Sequence, residues 1–208
     1  MTTTLNTIAF KAHTHPKHRF QNLYGRLNTD SLYHSWGQLN KLAKPGIDGI
    51  TMAEYKAKLI ENIERLGQQL KQKCYRVNDI KRIFIPKSNG KQRPLGLPTV
   101  DDKLVQQSVS QILQSIWEQD FMRNSYGYRP NKSAHQAVHS LTLNLQFQGY
   151  GFIVEADIKG FFDNLDHEWL MNMLKQRIDD KAILNLINQW LKARIKSPDG
   201  VFTKPSSG

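Results

Sequence analysis

Asp157 is the residue whose neighbours in the sequence most clearly suggest chemistry. It ends the apolar run 152–157, which predicts a β-strand, and the turn Ile158 to Asp163 follows it directly. Carboxylate oxygens are natural ligands of Mg²⁺, and in two-metal phosphoryl transfer such a residue bridges the ions. An equally weighted interpretation is that Asp157 and Asp163 only cap the turn and the next helix. Asp166 is interpreted as a helix cap alone.

A second group of candidate residues is a basic hairpin. The β-branched run 80–86 predicts a strand, and Asn89 with Gly90 is a strong hairpin signal. Five cations surround the turn and no acid lies between positions 80 and 94: Lys81, Arg82, Lys87, Lys91 and Arg93. Lys87 and Arg93 are expected on one face near the tip, where they could bind phosphates. The alternative is a solvated basic edge strand.

The third candidate is the loop 126–130. It combines two tyrosine rings, a glycine and Arg129, a mixture that suits contacts with nucleic-acid bases and backbone. Taken alone, the loop is better interpreted as an ordinary packed loop.

Apolar periodicity predicts the elements that position these residues. Stripes indicate helices near residues 20–27, 32–42, 55–70, 105–117, 134–145, 170–178 and 183–191. No amphipathic stripe precedes Phe20. The expected helix starts are a cap at Asp30, a capping box of Thr51 with Glu54, a start at Asp101 and a cap at Ser133. A turn at 197–200 should lead into a strand at Val201 and Phe202. Together with the hairpin, these elements predict an α+β protein.

The composition of the chain indicates the chemical class of its binding partner. The 208 residues contain 29 Lys and Arg against 18 Asp and Glu, a net charge of +11, which implies a polyanionic partner. No apolar run approaches the roughly 20 residues of a membrane span, so nucleic acid is favoured over a membrane. Cys74 is the single cysteine, which excludes a disulfide framework and fits a reducing compartment. The first 29 residues lack acids, as transit peptides do, but a cytoplasmic protein of bacterial type is the preferred interpretation over an organellar one.

In one continuous order, four blocks resemble the reverse transcriptases encoded by group II introns. The blocks are 46–51 (GIDGIT), 85–98 (from Ile85-Pro86-Lys87 to Arg93-Pro94-Leu95-Gly96-Leu97-Pro98), 125–135 (SYGYRP, then Ser133-Ala134-His135) and 155–163 (EADIKGFFD). The resemblance runs from about Gly46 to the last residue. It implies a right-hand polymerase fold of fingers and palm with an incomplete palm. It further implies an amino-terminal, RNA-contacting extension in 1–45, fingers in 46–150 and a partial palm in 151–208.

The resemblance also implies roles for individual residues. Asp157 would be the catalytic metal ligand, helped by the backbone carbonyl of Ile158. Lys87, Arg93, Gly160, Phe161 and Phe162 would bind the incoming deoxynucleotide, with the Phe162 ring under the sugar excluding a 2′-hydroxyl. Simple core packing is the alternative for Phe162. Lys91, Arg129 and Lys132 are expected to contact the template or other RNA. The cofactor would be Mg²⁺ at a two-metal site, and the partners intron RNA, template-primer and deoxynucleotides.

One departure from the family pattern matters. In the family, a Tyr-x-Asp-Asp tetrapeptide supplies the two further carboxylates of the metal site. This tetrapeptide does not occur in the sequence. We therefore expect a fragment of an RNA-directed DNA polymerase that is inactive alone and needs a carboxy-terminal half with the rest of the palm and the thumb. The alternatives are a non-catalytic RNA-binding module that aids splicing as a maturase does, or the fingers and palm of a retron or CRISPR-associated reverse transcriptase.

Overall fold

The computed structural model describes residues 3–86 and 90–208 of the chain. Its elements in chain order are α1 (Thr3–Thr14), α2 (Thr29–Gln38), α3 (Met52–Ala57), α4 (Leu59–Lys71), β1 (Ile80–Pro86), β2 (Gln92–Leu97), α5 (Val100–Trp117), α6 (Ala134–Phe147), α7 (His167–Arg177), α8 (Lys181–Leu191), β3 (Ile195–Lys196) and β4 (Phe202–Thr203). Short 3₁₀ helices cover Tyr24–Arg26 and Phe162–Asn164. The predicted α+β class is confirmed. Among the helices of these ranges, none has the length and apolarity needed to cross a bilayer.

Helix α5 lies at the centre of the hydrophobic core. Its buried stripe includes Leu104, Val105 and Ile112, and both α1 and α2 pack against it. Helix α4 adds Ile63 and Leu66, which are fully buried. The same core takes in side chains from all three predicted regions of the chain, so the domain boundaries stay predictions.

Helix α1 was not predicted from the sequence. It buries Leu5, Ile8 and Ala12, which lie on one face of the helix. The stripe is thin because its last member is an alanine, and this explains why the pattern was missed. The connection after α1 is fixed to α7, since the Phe20 amide donates to the Arg177 carbonyl at 2.8 Å.

The four strands form one sheet in the order β2, β1, β3, β4. Strands β1 and β2 are antiparallel, with Ile85 opposite Arg93, and β3 runs parallel to β1. Strand β4 pairs antiparallel with β3 across the predicted turn, where the Ser197 amide donates to the Val201 carbonyl at 2.9 Å. The predicted basic hairpin is confirmed in its strands. Asn89 of the predicted turn lies outside the described residues.

Helix boundaries were predicted well where a side-chain cap decides them. The capping box of Thr51 with Glu54 and the cap at Ser133 are both confirmed. The cap predicted at Asp30 is wrong: Asn28 caps α2 by accepting from the Ser31 amide at 3.0 Å. The start predicted at Asp101 lies one residue late, because Thr99 caps α5.

The single helix predicted over 55–70 is broken at Lys58 into α3 and α4. Lys58 has φ −123° and ψ 36°, outside the helical range. The Asn62 side-chain amide donates to the Tyr55 carbonyl at 3.2 Å, so the acceptor at the end of α3 has a partner. The break between α3 and α4 therefore does not leave the Tyr55 carbonyl without a hydrogen bond.

The strand predicted for 152–157 is wrong in this structure. Residues 151–158 adopt neither helix nor strand, and Phe152 and Val154 are 92% and 89% exposed. A strand is held by backbone hydrogen bonds to a neighbour, and no strand of the described chain pairs with this segment. The apolar composition is therefore present without the pairing that would make it a strand.

Candidate nucleic-acid interface and active site

The basic hairpin is anchored at its base by a residue from the far end of the chain. Arg194 donates to both carboxylate oxygens of Asp79, from Nε at 2.9 Å and from Nη2 at 2.7 Å. The Arg194 carbonyl accepts from the Ile80 amide at 2.8 Å. Since Arg194 directly precedes β3, these bonds fix the start of β1 against the rest of the sheet.

Two cations near the tip of the hairpin are exposed to solvent. Arg93 and Lys91 are both exposed. Ile85 pairs with Arg93, and directly opposed residues of an antiparallel pair lie on the same face of the sheet. Lys87 lies outside the described residues, so the face it was expected to share with Arg93 stays a prediction.

Beneath the hairpin lies a buried polar cluster centred on Asp102. The Tyr75 hydroxyl donates to Asp102 Oδ1, and the Thr99 hydroxyl donates to Oδ2 at 2.7 Å. The Asn78 amide also points at this carboxylate, 3.3 Å from Oδ2. Burial raises the pKa of Asp102, and the hydrogen bonds from Tyr75 and Thr99 oppose that rise. Because Asn78 is two residues before β1, the cluster sets where the hairpin leaves the core.

Gly46, the first residue of the 46–51 block, lies against the segment that leaves the hairpin. A Cβ on Gly46 would lie 2.6 Å from the Thr99 amide nitrogen and 2.7 Å from the Pro98 carbonyl oxygen. Only a glycine permits this approach of two backbones without a shift. The 46–51 block thus supports the same junction as Asp102.

Arg129 is held inside the protein. Its Nε and Nη2 donate to Glu118 Oε1 at 2.9 and 2.6 Å, and its Nη1 donates to the carbonyls of Met122 and Ser125 at 2.7 and 2.8 Å. The side chain is only 9% exposed. These bonds hold the loop 122–129 against the end of α5. The RNA contact expected of Arg129 stays a prediction.

Other side chains of that loop face outward. Tyr128 is fully exposed and has a left-handed backbone with φ 56°, which is uncommon for a residue other than glycine. Lys132, expected to contact RNA, has its ammonium 5.1 Å from the centroid of the Tyr126 ring and 3.4 Å from the Arg123 carbonyl oxygen. It is half-buried, and RNA contact by Lys132 stays a prediction.

The segment that carries Asp157 is open to solvent. Asp157 and Ile158 are exposed, as are Ala156 and Lys159 on either side of them. The turn that follows is more ordered: Gly160 has φ 61°, and its carbonyl accepts from the Asn164 side chain at 2.9 Å and from the Asn164 amide at 3.1 Å. The left-handed conformation is one that glycine adopts at no steric cost.

Two phenylalanine rings extend from the same turn. The Phe161 and Phe162 rings meet edge to face, with centroids 5.3 Å apart. They are 47% and 66% exposed, so neither ring is a core residue of the described chain. Core packing, the alternative weighed for Phe162, is thus not its arrangement here.

The structure does not assemble these candidates into one closed site. Within residues 3–86 and 90–208, no hydrogen bond or ion pair joins Asp157 to Arg93 or Lys132. In the same ranges no three His, Cys, Asp or Glu side chains cluster closely enough to hold a metal ion. Asp157 is of the right chemical type for Mg²⁺, but one carboxylate does not make a two-metal site.

Three residues that hold the described fold together were missed in the sequence: the buried Asp102 and Arg177, and the partly buried Glu118. Arg177 bridges distant segments, donating to the Asp120 carboxylate at 2.9 Å, to the Ala12 carbonyl at 3.2 Å and to the Pro16 carbonyl. Asp102 stands three residues after Thr99, a spacing typical of a helix start, and this was the available signal. Glu118 and Arg177 carried no local signal, because their partners are distant in sequence.

Comparison with known proteins defines the class. The family model of reverse transcriptases, described as RNA-dependent DNA polymerases, matches residues 85–206. A chain in a solved structure, the partial Cas6-RT-Cas1–Cas2 complex, is similar with a TM-score of 0.52 and 20% identity, over 89% of this chain and 30% of that one. At that identity the likeness concerns the fold alone. The chain belongs to the reverse transcriptase family.

Its curated relatives include a protein encoded by a group II intron. The group II intron-encoded protein LtrA of Lactococcus lactis subsp. cremoris is 42% identical over 134 residues, which is 64% of this chain and 22% of LtrA. Protein YkfC of Escherichia coli strain K12 is 36% identical over 152 residues, 72% of this chain and 40% of YkfC. An uncharacterized 91 kDa protein in the cob intron of Schizosaccharomyces pombe is 33% identical over 169 residues, 80% of this chain and 20% of that protein. The chain thus spans less than half the length of each of these three relatives.

Proposed function

We propose that this chain forms the amino-terminal extension, fingers and part of the palm of a group II intron reverse transcriptase. Its chemistry would be RNA-directed DNA synthesis, completed by a carboxy-terminal part that holds the remaining palm and the thumb. Template-primer and intron RNA are the proposed nucleic-acid partners, and deoxynucleotides are the substrates. Location in the cytoplasm remains a prediction.

The observation that carries the proposal is the segment 152–164. Exposed apolar residues lead to Asp157, and the ordered turn at Gly160 follows at once. Apolar side chains as exposed as Phe152 and Val154 are unusual in a free surface segment and suit a strand that receives a neighbour. A neighbouring hairpin bearing carboxylates would cover these side chains and add ligands beside Asp157.

Each candidate residue would then have a distinct task. Arg93, on the exposed hairpin, would hold the triphosphate through paired hydrogen bonds, with Lys87 as a point charge beside it. The backbone of Gly160 and Phe161 would border the same phosphates. Phe162 would contact the sugar of the incoming nucleotide. Lys91 would contact the template strand.

Mg²⁺ is the proposed cofactor of the complete enzyme. When bound, such ions activate the attacking hydroxyl and stabilise the leaving group. Asp157 and the carbonyl of Ile158 would supply two of the ligands. The described chain does not supply the others, so we expect no polymerisation from it alone.

A non-catalytic RNA-binding module is the second candidate. The observation that favours it is that, among the described residues, Asp157 belongs to no cluster of three potential metal ligands, together with a net charge of +11. Such a module would keep RNA contacts through the hairpin and the amino-terminal residues. Both candidates bind RNA, so catalysis is what separates them.

Primer extension tests the proposal. The chain alone, and the chain supplied with the carboxy-terminal part of a group II intron relative, are incubated with Mg²⁺, an RNA template, a primer and deoxynucleotides. Extension is expected only with the added part, and Asp157→Ala should abolish it. Extension by the chain alone would refute the predicted dependence on a second part. Restored activity that survives Asp157→Ala would show that the catalytic carboxylate lies elsewhere.

RNA binding by the chain itself should depend steeply on salt. Each phosphate neutralised by a cation releases counterions, so the logarithm of the affinity should fall linearly with the logarithm of salt concentration. Filter binding across a salt series measures this slope. A flat line would contradict the electrostatic basis of the proposal.

A further inference from the structure

The basic hairpin is joined to the rest of the sheet only at its base. Strand β1 pairs with β3 where Ile80 and Lys81 lie opposite Ile195 and Lys196. Beyond Lys81, the only described strand that pairs with β1 is β2. The outer part of the hairpin is therefore a two-stranded ribbon, and such ribbons are only marginally stable in water by themselves. Its direction depends on what holds its base.

The length of this ribbon magnifies any movement at the base. Arg93 lies opposite Ile85, four residues beyond Lys81. At roughly 3.3 Å per residue, that separation is about 13 Å, so a rotation of about 10° at the base would move the backbone of Arg93 by roughly 2 Å. A displacement of that size breaks hydrogen bonds, whose N···O distances in proteins lie between about 2.7 and 3.2 Å. Arg93 can hold a phosphate only if the base is fixed.

Arg194 holds the base through its backbone and through its side chain. Its carbonyl accepts from the Ile80 amide at 2.8 Å, and its guanidinium donates to the two oxygens of Asp79 at 2.9 and 2.7 Å. Paired donation fixes the angle between the two side chains as well as their distance. The guanidinium carbon also lies 4.9 Å from the centroid of the Phe202 ring on β4. Arg194 therefore connects the start of the hairpin with both β3 and β4.

The exposure of the ion pair separates its effect on orientation from an effect on global stability. The Arg194 and Asp79 side chains are 60% and 24% exposed. Ion pairs with this much solvent access contribute little to the free energy of unfolding, because water screens the charges and both side chains lose conformational entropy. Two directional hydrogen bonds at the base of a ribbon still restrict the directions that the ribbon adopts. Loss of the pair should therefore alter the hairpin more than the overall fold.

We propose that Asp79 and Arg194 are positioning residues for nucleotide binding, whose ion pair directs the basic hairpin so that Arg93 reaches the triphosphate of the incoming deoxynucleotide. The inference rests on the proposed function, in which Arg93 binds that triphosphate. Neither Asp79 nor Arg194 touches the nucleotide, and both act through the direction of the ribbon. Since Arg194 also contacts the Phe202 ring, nucleotide binding depends in turn on the position of β3 and β4.

Single-nucleotide extension by the enzyme restored with a carboxy-terminal part tests this role. Without the ion pair, the hairpin would hold Arg93 in place for only a fraction of the time, and apparent affinity falls by that fraction. Asp79→Ala and Arg194→Met should each raise KM for the deoxynucleotide about three- to tenfold and change kcat by less than about twofold. Arg194→Lys keeps the charge but loses the paired donation, so its KM should lie between those of the wild type and Arg194→Met.

The double variant and a matched control sharpen the test. Asp79→Ala combined with Arg194→Met should raise KM no further than either change alone, because both remove the same interaction. Arg65→Met is the control: Arg65 pairs with Asp101 at 2.8 Å, the side chains are 46% and 20% exposed, and the pair joins α4 to α5. Its KM should stay within about twofold of the wild type. The thermal midpoints of all variants should stay close to that of the wild type.

The alternative outcomes are distinct. An unchanged KM in Asp79→Ala and Arg194→Met would overturn the positioning role and leave the proposed function intact. The same holds if the effects of the two changes multiply in the double variant, since the residues would then act separately. A lowered thermal midpoint with kcat lost alongside KM would show a general structural role and would also overturn the inference. Absence of extension by the restored wild type would overturn the proposed function, and this inference with it.

Discussion

Arg129 Nη2 and Glu118 Oε1 lie 2.6 Å apart in an ion pair whose side chains are only 9% and 19% exposed. The pair joins the end of α5 to the loop 122–129, and the Arg129 guanidinium also lies over the Phe121 ring at 5.2 Å. The second carboxylate oxygen, Glu118 Oε2, is buried and has no hydrogen-bond partner among the described residues. Both Glu118 hydrogen bonds to Arg129 in the described residues are therefore accepted by Oε1.

Glu118→Gln should destabilise the protein by about 2–3 kcal/mol, because it leaves the Arg129 charge buried without its counter-charge. Urea unfolding measures the change. Arg19→Gln serves as the comparison, since Arg19 and Asp179 form an ion pair with both side chains about half exposed, 51% and 43%. Its loss should cost less than about 1 kcal/mol. Equal costs for the two variants would contradict a buried, structural role for Glu118.

The raised pKa of Asp102 predicts a pH dependence of stability. Burial favours the neutral carboxyl, so the folded protein retains this proton above the ordinary pKa of about 4 at which the unfolded chain releases it. In the window from that ordinary pKa up to the raised one, the folded state binds more protons. The contribution of Asp102 to stability therefore falls as pH rises through this window.

Asp102→Asn removes the titrating group and should flatten that part of the profile. The variant will also be less stable at every pH, because an amide cannot accept from both Tyr75 and Thr99 as the carboxylate does. The slope of unfolding free energy against pH is therefore the diagnostic quantity. Parallel profiles for wild type and variant would show that Asp102 does not titrate in this window.

Gly160→Ala should loosen the turn after Asp157. The alanine would adopt the left-handed φ of 61°, and its Cβ would lie 3.0 Å from the Asn164 side-chain nitrogen. We expect the Asn164 amide, which donates to the Gly160 carbonyl, to exchange its hydrogen about fivefold faster, equivalent to about 1 kcal/mol. Gly151→Ala is the control, since Gly151 has no atom within 4 Å of an added Cβ and no positive φ. Unchanged exchange at Asn164 in Gly160→Ala would contradict the argument.

Local signals were sufficient where the structure depends on neighbours in sequence. The caps at Thr51 and Ser133 were predicted because each depends on a side chain three residues further on. The strands on either side of Gly90 were predicted because the turn between them determines the hairpin. The strand over 152–157 failed for the opposite reason. The run is apolar, as the sequence shows, but pairing needs a neighbouring strand that the described chain does not provide.

The tertiary partners of individual side chains were harder to predict than the elements that carry them. Arg129 follows the exposed Tyr128 in the loop, and nothing in the sequence indicates that Glu118, eleven residues earlier, accepts hydrogen bonds from its guanidinium. The dependence of β1 on Arg194 was equally hidden, since 115 residues separate Arg194 from Asp79. Electrostatic partners of this kind are set by the tertiary fold.

Phe162→Val should relax the choice between deoxynucleotides and ribonucleotides in the enzyme restored with a carboxy-terminal part. The Phe162 ring is 66% exposed and contacts the Phe161 ring, so its replacement should cost little stability in the chain itself. If the ring occupies the space of a 2′-hydroxyl, the smaller valine admits ribonucleotides. A steric effect of this size should lower the preference for deoxynucleotides by about 10- to 100-fold.

The measurement is the ratio of kcat/KM for a deoxynucleotide to that for the matching ribonucleotide, taken from single-nucleotide extension on an RNA template. Phe161→Val is the matched control, because Phe161 is proposed to border the phosphates through its backbone and should leave the ratio nearly unchanged. RNA affinity, measured in parallel, should be the same for both variants. If Phe162→Val lowers both rate constants equally and leaves the ratio unaltered, the ring serves packing within the complete enzyme and does not select the sugar.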